Sequence, residues 1–259
     1  MSVHRFYVSP ENWGPAAPSL TGSEAHHARD VLRLQRGDKV VLFNGRGREI
    51  TAEIVDLRPD EIHLRKLSET ETPPLRCHLA LAQAIPKGKN MELIVQKAVE
   101  LGAAEIIPLI SARTIVDLDD KEARRKREKW QSVVIEAAKQ CGQNWLPQVH
   151  SPRTLKDFLI VATGLRPVGI SQGGFDLRLI GSLQPGALHL KKVLAEFSQE
   201  HQRLPESVLM LIGPEGDFTP AELALARSHG CRPITLGPIV LRAETAALYC
   251  LSVLAYELF

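Results

Sequence analysis

The stretch from Val208 to Glu222 constrains the fold most. Val208-Leu-Met-Leu-Ile212 is an unbroken apolar run, the pattern of a strand buried on both faces. It leads straight into Gly213-Pro-Glu-Gly216. Thr219-Pro-Ala-Glu222 follows, with the threonine and glutamate of a capping box and a proline at the first helical position. A buried strand, a glycine loop and a capped helix are the parts of an α/β domain.

The same texture begins earlier. Cys77 to Ile85 is a strand-like run. Met91, Ile94, Val95, Ala98 and Val99 then recur at helical spacing up to Leu101, with Gly102 as the stop. Ile106 to Ile110 is a second strand, and strand, helix, strand over this length is a βαβ unit with parallel strands. A helix opens near Asp119-Asp120, with Trp130, Val133, Val134, Ala137, Ala138 and Cys141 on one face. Phe158 to Ala162 and Leu177 to Ile180 are expected as strands, and Leu188 to Phe197 as a helix. Ile234 to Leu236 is expected as a strand, and a last helix runs from about Glu244.

Residues before Glu69 differ. Lys39 to Phe43 ends at the hairpin signal Asn44-Gly45, Ile50 to Val55 alternates, and Ile62, Leu64 and Leu67 suggest another strand. One helix is expected over Ser23 to Leu34. These parts suggest a small β-barrel. The polar stretch Glu69 to Pro74, with two prolines, is the linker, which gives domains 1–72 and 73–259.

Lys plus Arg total 32 against 30 Asp plus Glu, so a nucleic-acid site must arise by local clustering. Cys77, Cys141, Cys231 and Cys250 form no C-x-x-C pair, which gives no metal signal and suits reduced, mostly buried thiols. The start of the chain lacks a secretory apolar core, and Ala246 to Phe259 is broken by Ser252 and Glu257. A cytoplasmic protein with no membrane span and no metal is expected.

In parallel sheets ligands bind outside the carboxyl ends of the strands. That points to Pro86–Asn90, Gly213–Asp217 and Gly237–Arg242. The 213–217 loop has no phosphate-cradle pattern, and Glu215 would repel a phosphate. Leu236-Gly-Pro-Ile-Val-Leu-Arg242 is apolar and stiff, suited to an adenine-like ring, with Arg242 for an anion. Lys87 and Lys89, near a helix start, suit a phosphate or a solvated turn. The cluster Lys121, Arg124, Arg125, Lys126, Arg127 and Lys129 suits either RNA or a solvated helix face. Arg5, Arg29, Arg33, Arg36, Arg46 and Arg48 pose the same choice on the barrel. His26 and His27 are adjacent and would diverge on a helix.

Taken in order, Lys87-Gly-Lys-Asn-Met-Glu92, Gln96-Lys-Ala-Val-Glu-Leu-Gly102, Ile212-Gly-Pro-Glu-Gly216 and Leu236-Gly-Pro238 with Leu241-Arg-Ala-Glu-Thr-Ala246 resemble one family. It is that of the small-subunit (16S) ribosomal RNA uridine-N3 methyltransferases of the SPOUT superfamily. His27 to Leu34 and Phe43-Asn-Gly45 resemble its N-terminal domain. One departure is Gln143, where the family often has arginine.

The resemblance implies an α/β fold: a PUA-like β-barrel, then a SPOUT parallel sheet with a C-terminal trefoil knot. It implies a homodimer, S-adenosyl-L-methionine as cofactor, and 16S ribosomal RNA or the small ribosomal subunit as partner. By match, Leu211, Gly213, Glu215, Gly216, Leu236, Gly237, Leu241, Arg242 and Thr245 would bind cofactor. Arg242 would give electrostatic help in catalysis, and Glu244 is a candidate base. Lys87, Lys89, Arg5 and Arg33 would hold RNA. A non-catalytic RNA-binding protein of the same fold, or an enzyme acting on transfer RNA, are the competing readings.

Overall fold

Alternating apolar residues build a first sheet, in a computed structural model that describes residues 3–14, 16, 18–114, 118–162 and 174–259. The chain divides into two units, Met1–Pro74 with Ile135–Leu146, and Leu75–Val134 with Pro147–Phe259. The first contains β1 (His4–Tyr7), β2 (Ser19–Thr21), α1 (Gly22–His26, continued by a π turn to Val31), β3 (Lys39–Phe43), β4 (Arg48–Leu57) and β5 (Glu61–Glu71). Its strand order is β1-β3-β4-β5-β2, antiparallel except for β1 beside β3. Ile50, Ala52 and Ile54 of β4 point to one core with Phe6, Val40, Leu42 and Ile62, as the alternation requires.

The Asn44-Gly45 signal marks the β3–β4 joint. The Asn44 side-chain oxygen accepts from the amides of Arg46 (2.8 Å) and Arg48 (3.1 Å) and closes the loop. Residues 142–146 complete this unit. Asn144 is buried; its amide donates to Thr72 Oγ1 (2.9 Å) and accepts from Arg5 Nη2 (2.6 Å), while its backbone carbonyl accepts from Gly47 N–H (2.9 Å). Trp145 Nε1 donates to the Thr72 carbonyl at 2.8 Å.

The second unit contains β6 (His78–Ala84), α2 (Asn90–Glu100), β7 (Glu105–Ile110), α3 (Asp120–Cys141, its residues from 135 on grouping with the first unit), β8 (Gln148–Val149), β9 (Arg153–Thr154) and α4 (Leu155–Ala162). It continues with β10 (Leu177–Gly181), β11 (Leu188–His189), α5 (Leu190–His201), β12 (Ser207–Ile212), α6 (Pro220–Ser228), β13 (Arg232–Thr235) and α7 (Ala243–Leu258). All its strands are parallel, in the order β11-β13-β10-β12-β6-β7-β8, with β9 also beside β7. Every residue of β12 is buried. Pro108 sits inside β7, where a missing N–H would break a ladder. β8 pairs with Glu105 and Ile106, and β9 with Leu109 and Ile110, so the proline falls in the gap between them.

One expectation is corrected. Phe158 to Ala162 belongs to helix α4 and is not a strand. Leu155, Phe158 and Leu159 fall on one helical face and enter the core, while Lys156 and Asp157 face solvent. The Asp157 amide donates to Thr154 Oγ1 (3.1 Å), which caps the helix start. A five-residue apolar run carries too short a period to separate strand from helix.

The amino ends of the parallel strands are closed by internal pairing. Glu105 accepts at 2.7 Å from both His78 Nε2 and His150 Nε2. Burial pushes its carboxyl up, but the hydrogen bonds from His150 and His78 outweigh this and hold it down at about 2. Asp176 accepts from Arg203 (2.9 and 3.1 Å) and from the Glu206 amide (2.7 Å). Cys77, Cys231 and Cys250 are buried, and burial raises their thiols to about 12, 11 and 12. Cys141 is exposed.

Candidate active site

At the opposite, carboxyl edge of this sheet the loops after β10, β12 and β13 meet around a cleft of about 580 Å³, part of it open to solvent. The cleft follows from strand order. β10, β12 and β13 are neighbours in the sheet, so their carboxyl-end loops are neighbours too.

The 213–219 loop is tightly specified. A Cβ on Gly213 would lie 3.1 Å from the Phe218 nitrogen and 3.3 Å from the Asp217 backbone, so a side chain there would have to push the loop backbone aside by a few tenths of an ångström. Asp217 holds a left-handed backbone at φ +61°. Its amide donates to the Pro214 carbonyl (3.0 Å), and its carboxylate accepts from the amides of Phe218 (2.7 Å) and Leu183 (3.0 Å). Asp217 thus ties the β10 loop to the β12 loop. Glu215 accepts from the Lys87 amide at 2.9 Å, which ties in the loop after β6. The expected capping box is formed: Glu222 N–H donates to Thr219 Oγ1 (3.2 Å), and Thr219 N–H donates to Glu222 (2.9 Å).

The 236–242 loop is different. Gly237 has φ +120°, a region that side chains strain. Ile239 and Val240 are 75% and 69% exposed, which is high for apolar residues lining a cleft. Arg242 is the N-cap of α7, yet no side chain caps that helix start. Its guanidinium is exposed and has no ion-pair partner among the described residues. An uncapped N-terminus beside a free arginine is an electropositive place, suited to an anionic group.

Gly213, Glu215, Leu236, Gly237 and Leu241 line the cleft. Leu211 is fully buried in the core, one residue before Ile212, which does line it. Gly216 faces Arg113 instead, its position for a Cβ lying 3.4 Å from Arg113 Cδ. Arg242 stands between two lining residues, Leu241 and Ala243; half-buried Glu244 and exposed Thr245 lie outside the lining. Lys87 and Lys89 are exposed. In the first unit Arg33 is exposed with φ +54°. Arg5 is engaged through Nη1 with Glu49 (2.5 Å) and through Nη2 with Asn144 and stacks over Phe43 (4.9 Å), so both of its terminal nitrogens already serve the fold. Gln143 accepts from the Trp145 amide at 3.2 Å, a local turn contact. On α3, Lys129 pairs with Glu92 and Arg127 donates to the Val149 carbonyl.

Sequence reasoning missed Gly181, Ser182 and Leu183, which line the cleft from the β10 loop. The signal was present, since Leu177 to Ile180 is a strand and its carboxyl end belongs with the others.

Comparison with known proteins defines the class. Residues 73–255 match the family model of an RNA methyltransferase domain, and residues 20–67 that of an RNA methyltransferase PUA domain. The chain is 33% identical to the ribosomal RNA small subunit methyltransferase E of Bacillus subtilis, covering 92% of this chain and 90% of that protein. It is 34% identical to the protein of that name from Synechocystis, covering 96% and 76%. A putative methyltransferase from Legionella pneumophila, solved with its cofactor SAM, superposes with a TM-score of 0.84 at 33% identity, covering 99% and 98%. The Neisseria gonorrhoeae ribosomal RNA small subunit methyltransferase E, bound to S-adenosyl methionine, gives 0.82 at 28% over the same shares. The chain belongs to the family of the ribosomal RNA small subunit methyltransferases E.

Proposed function

We propose that this protein transfers a methyl group from S-adenosyl-L-methionine to N3 of a uridine in 16S ribosomal RNA, in the cytoplasm. The observation that carries the reading is the cleft at the carboxyl edge, whose residues match the cofactor's parts. The apolar segment Leu236–Leu241 suits the adenine. The Glu215 carboxylate suits a cationic centre, and the uncapped start of α7 suits a carboxylate. Among the described residues the amides of Glu215 and Gly216 have no hydrogen-bond partner and are free to donate. When bound, the cofactor supplies an electrophilic methyl group.

The protein's own task is to orient and to manage charge. Uridine N3 carries a proton and becomes nucleophilic once it is lost. Arg242, with the positive end of α7, favours the resulting anion. Glu244 is the candidate proton acceptor, reached through the base's approach to the helix start. N3 lies on the pairing edge, so the base must leave its stack to react. Lys87 and Lys89, exposed beside the cleft, would hold RNA phosphates, and exposed Arg33 on the barrel would add to that grip.

Two further parts of the reading concern assembly. β13 lies between β10 and β11, while residues 182–187 join those two strands directly. The chain leaving β13 must therefore pass that connection, which supports a trefoil knot, a rare exception to unknotted topology. The outer face of α7 exposes Tyr249 and Tyr256, 40% and 87% accessible, which supports a homodimer built on that helix.

The test is methyl transfer from labelled cofactor to small ribosomal subunits lacking the modification, followed by nucleoside analysis. Labelled 3-methyluridine is expected. Label in another nucleoside would overturn the N3 assignment, and no transfer despite cofactor binding would overturn the substrate.

A further inference from the structure

The loop after β7 also reaches the carboxyl edge, and neither the cleft lining nor the sequence motifs include it. It is fastened to the 213–222 segment at several points. Arg113 Nη1 donates to the carbonyl of Gly216 and, at 3.4 Å, to that of Asp217. The Ala112 amide donates to Glu222 Oε1 at 2.8 Å, while the other Glu222 oxygen completes the capping box. Ser111 is buried, and its hydroxyl meets Thr114 Oγ1 at 3.0 Å, which shapes the short turn that carries Arg113.

The two carbonyls gripped by Arg113 belong to the strained part of the loop. Asp217 has the left-handed backbone, and Gly216 packs directly on the arginine side chain. A guanidinium there neutralises carbonyl dipoles that would otherwise turn toward water, and its charge makes the bonds stronger than neutral ones. With the carbonyls held on the Arg113 side, the loop presents Gly213 and Glu215 to the cleft. A left-handed, non-glycine residue is strained and persists only when its surroundings fix it.

We propose that Arg113 is a positioning residue that fixes the 213–217 loop in its cofactor-binding shape, an inference that rests on the methyltransferase reading above. The variants Arg113→Ala and Arg113→Lys would be compared with the wild type by calorimetric titration with S-adenosylmethionine, by steady-state kinetics on ribosomal subunits and by thermal melting. R113A is expected to weaken cofactor binding about tenfold and to raise the cofactor KM by a similar factor. Its kcat at saturating cofactor, its RNA KM and its melting temperature should stay close to wild type. R113K, which keeps one charged donor, should recover part of the affinity. Unchanged cofactor affinity in R113A would overturn the proposal. So would a raised RNA KM alone, which would make Arg113 an RNA contact, or a fall in melting temperature that accounts for the lost binding. If the wild type itself bound no S-adenosylmethionine, the methyltransferase reading would fail instead, and the two failures are thereby distinct.

Discussion

The two edges of the parallel sheet are made by the same strands and treated in opposite ways. At the amino edge, charged groups find each other: Glu105 bridges His78 and His150, and Asp176 takes up Arg203 and the Glu206 amide. At the carboxyl edge Arg242 has no ion-pair partner among the described residues, α7 starts without a side-chain cap, and Ile239 and Val240 face solvent. A buried charge must be paired to be tolerated, so complete pairing is what stability alone would select. Open valences gathered in one cleft are what binding would select. Mutations at the two edges should therefore separate stability from activity.

The largest effect is expected at the amino edge. Glu105→Gln should cost about 3 kcal/mol near neutral pH, because the carboxylate's folded pKa lies far below its unfolded value near 4.5. A depressed pKa contributes stability above the unfolded value and loses it as pH falls toward about 2. Denaturant titrations from pH 7 to 3 should thus show the wild type losing stability more steeply than the variant, while cofactor affinity at pH 7 stays unchanged. Parallel curves would remove Glu105 as the source of acid sensitivity.

Next comes Arg242→Ala at the open edge. Turnover should fall about 100-fold, a size typical of lost electrostatic stabilisation of a developing anion. Melting temperature should not move, since the side chain pairs with nothing among the described residues. A rate within twofold of wild type would take Arg242 out of the chemistry.

The smallest effect tests the boundary between the two treatments. Thr219→Ala removes a cap at the carboxyl edge and should cost about 1 kcal/mol of stability, read as a drop in melting temperature of a few degrees. It should weaken cofactor binding only slightly, because Asp217 and the Lys87–Glu215 link still hold the loop.

Much of the second unit was legible because its signals are local. The buried run of β12, the Thr219–Glu222 box and the five apolar positions of α2 lie within a dozen residues each. Phe158 was misjudged because a short apolar run has no phase, and the helical face appears only once Leu155 is joined to it. β1 and β2 carry no comparable signal, being only four and three residues long. In the site, Gly213, Glu215 and Leu241 could be named from motif and loop position. Ser182 could be placed from the carboxyl end of the 177–180 strand, whereas Arg113 could not, because its hold on Gly216 and Asp217 depends on which loops the whole sheet brings together. Likewise nothing local announces that Asn144 belongs with Arg5 and Thr72.

That last grouping bears on how the protein is made. A chain leaves the ribosome amino end first, at about 5–20 residues per second, so the barrel strands emerge well before the segment that finishes them. Residues 135–146 follow β5 by roughly 4–15 s at such rates. Until Asn144 arrives, Arg5 Nη2 and the Gly47 amide lack their acceptors. The first unit is therefore left ajar during synthesis, and it closes only when about a third of the second has already emerged.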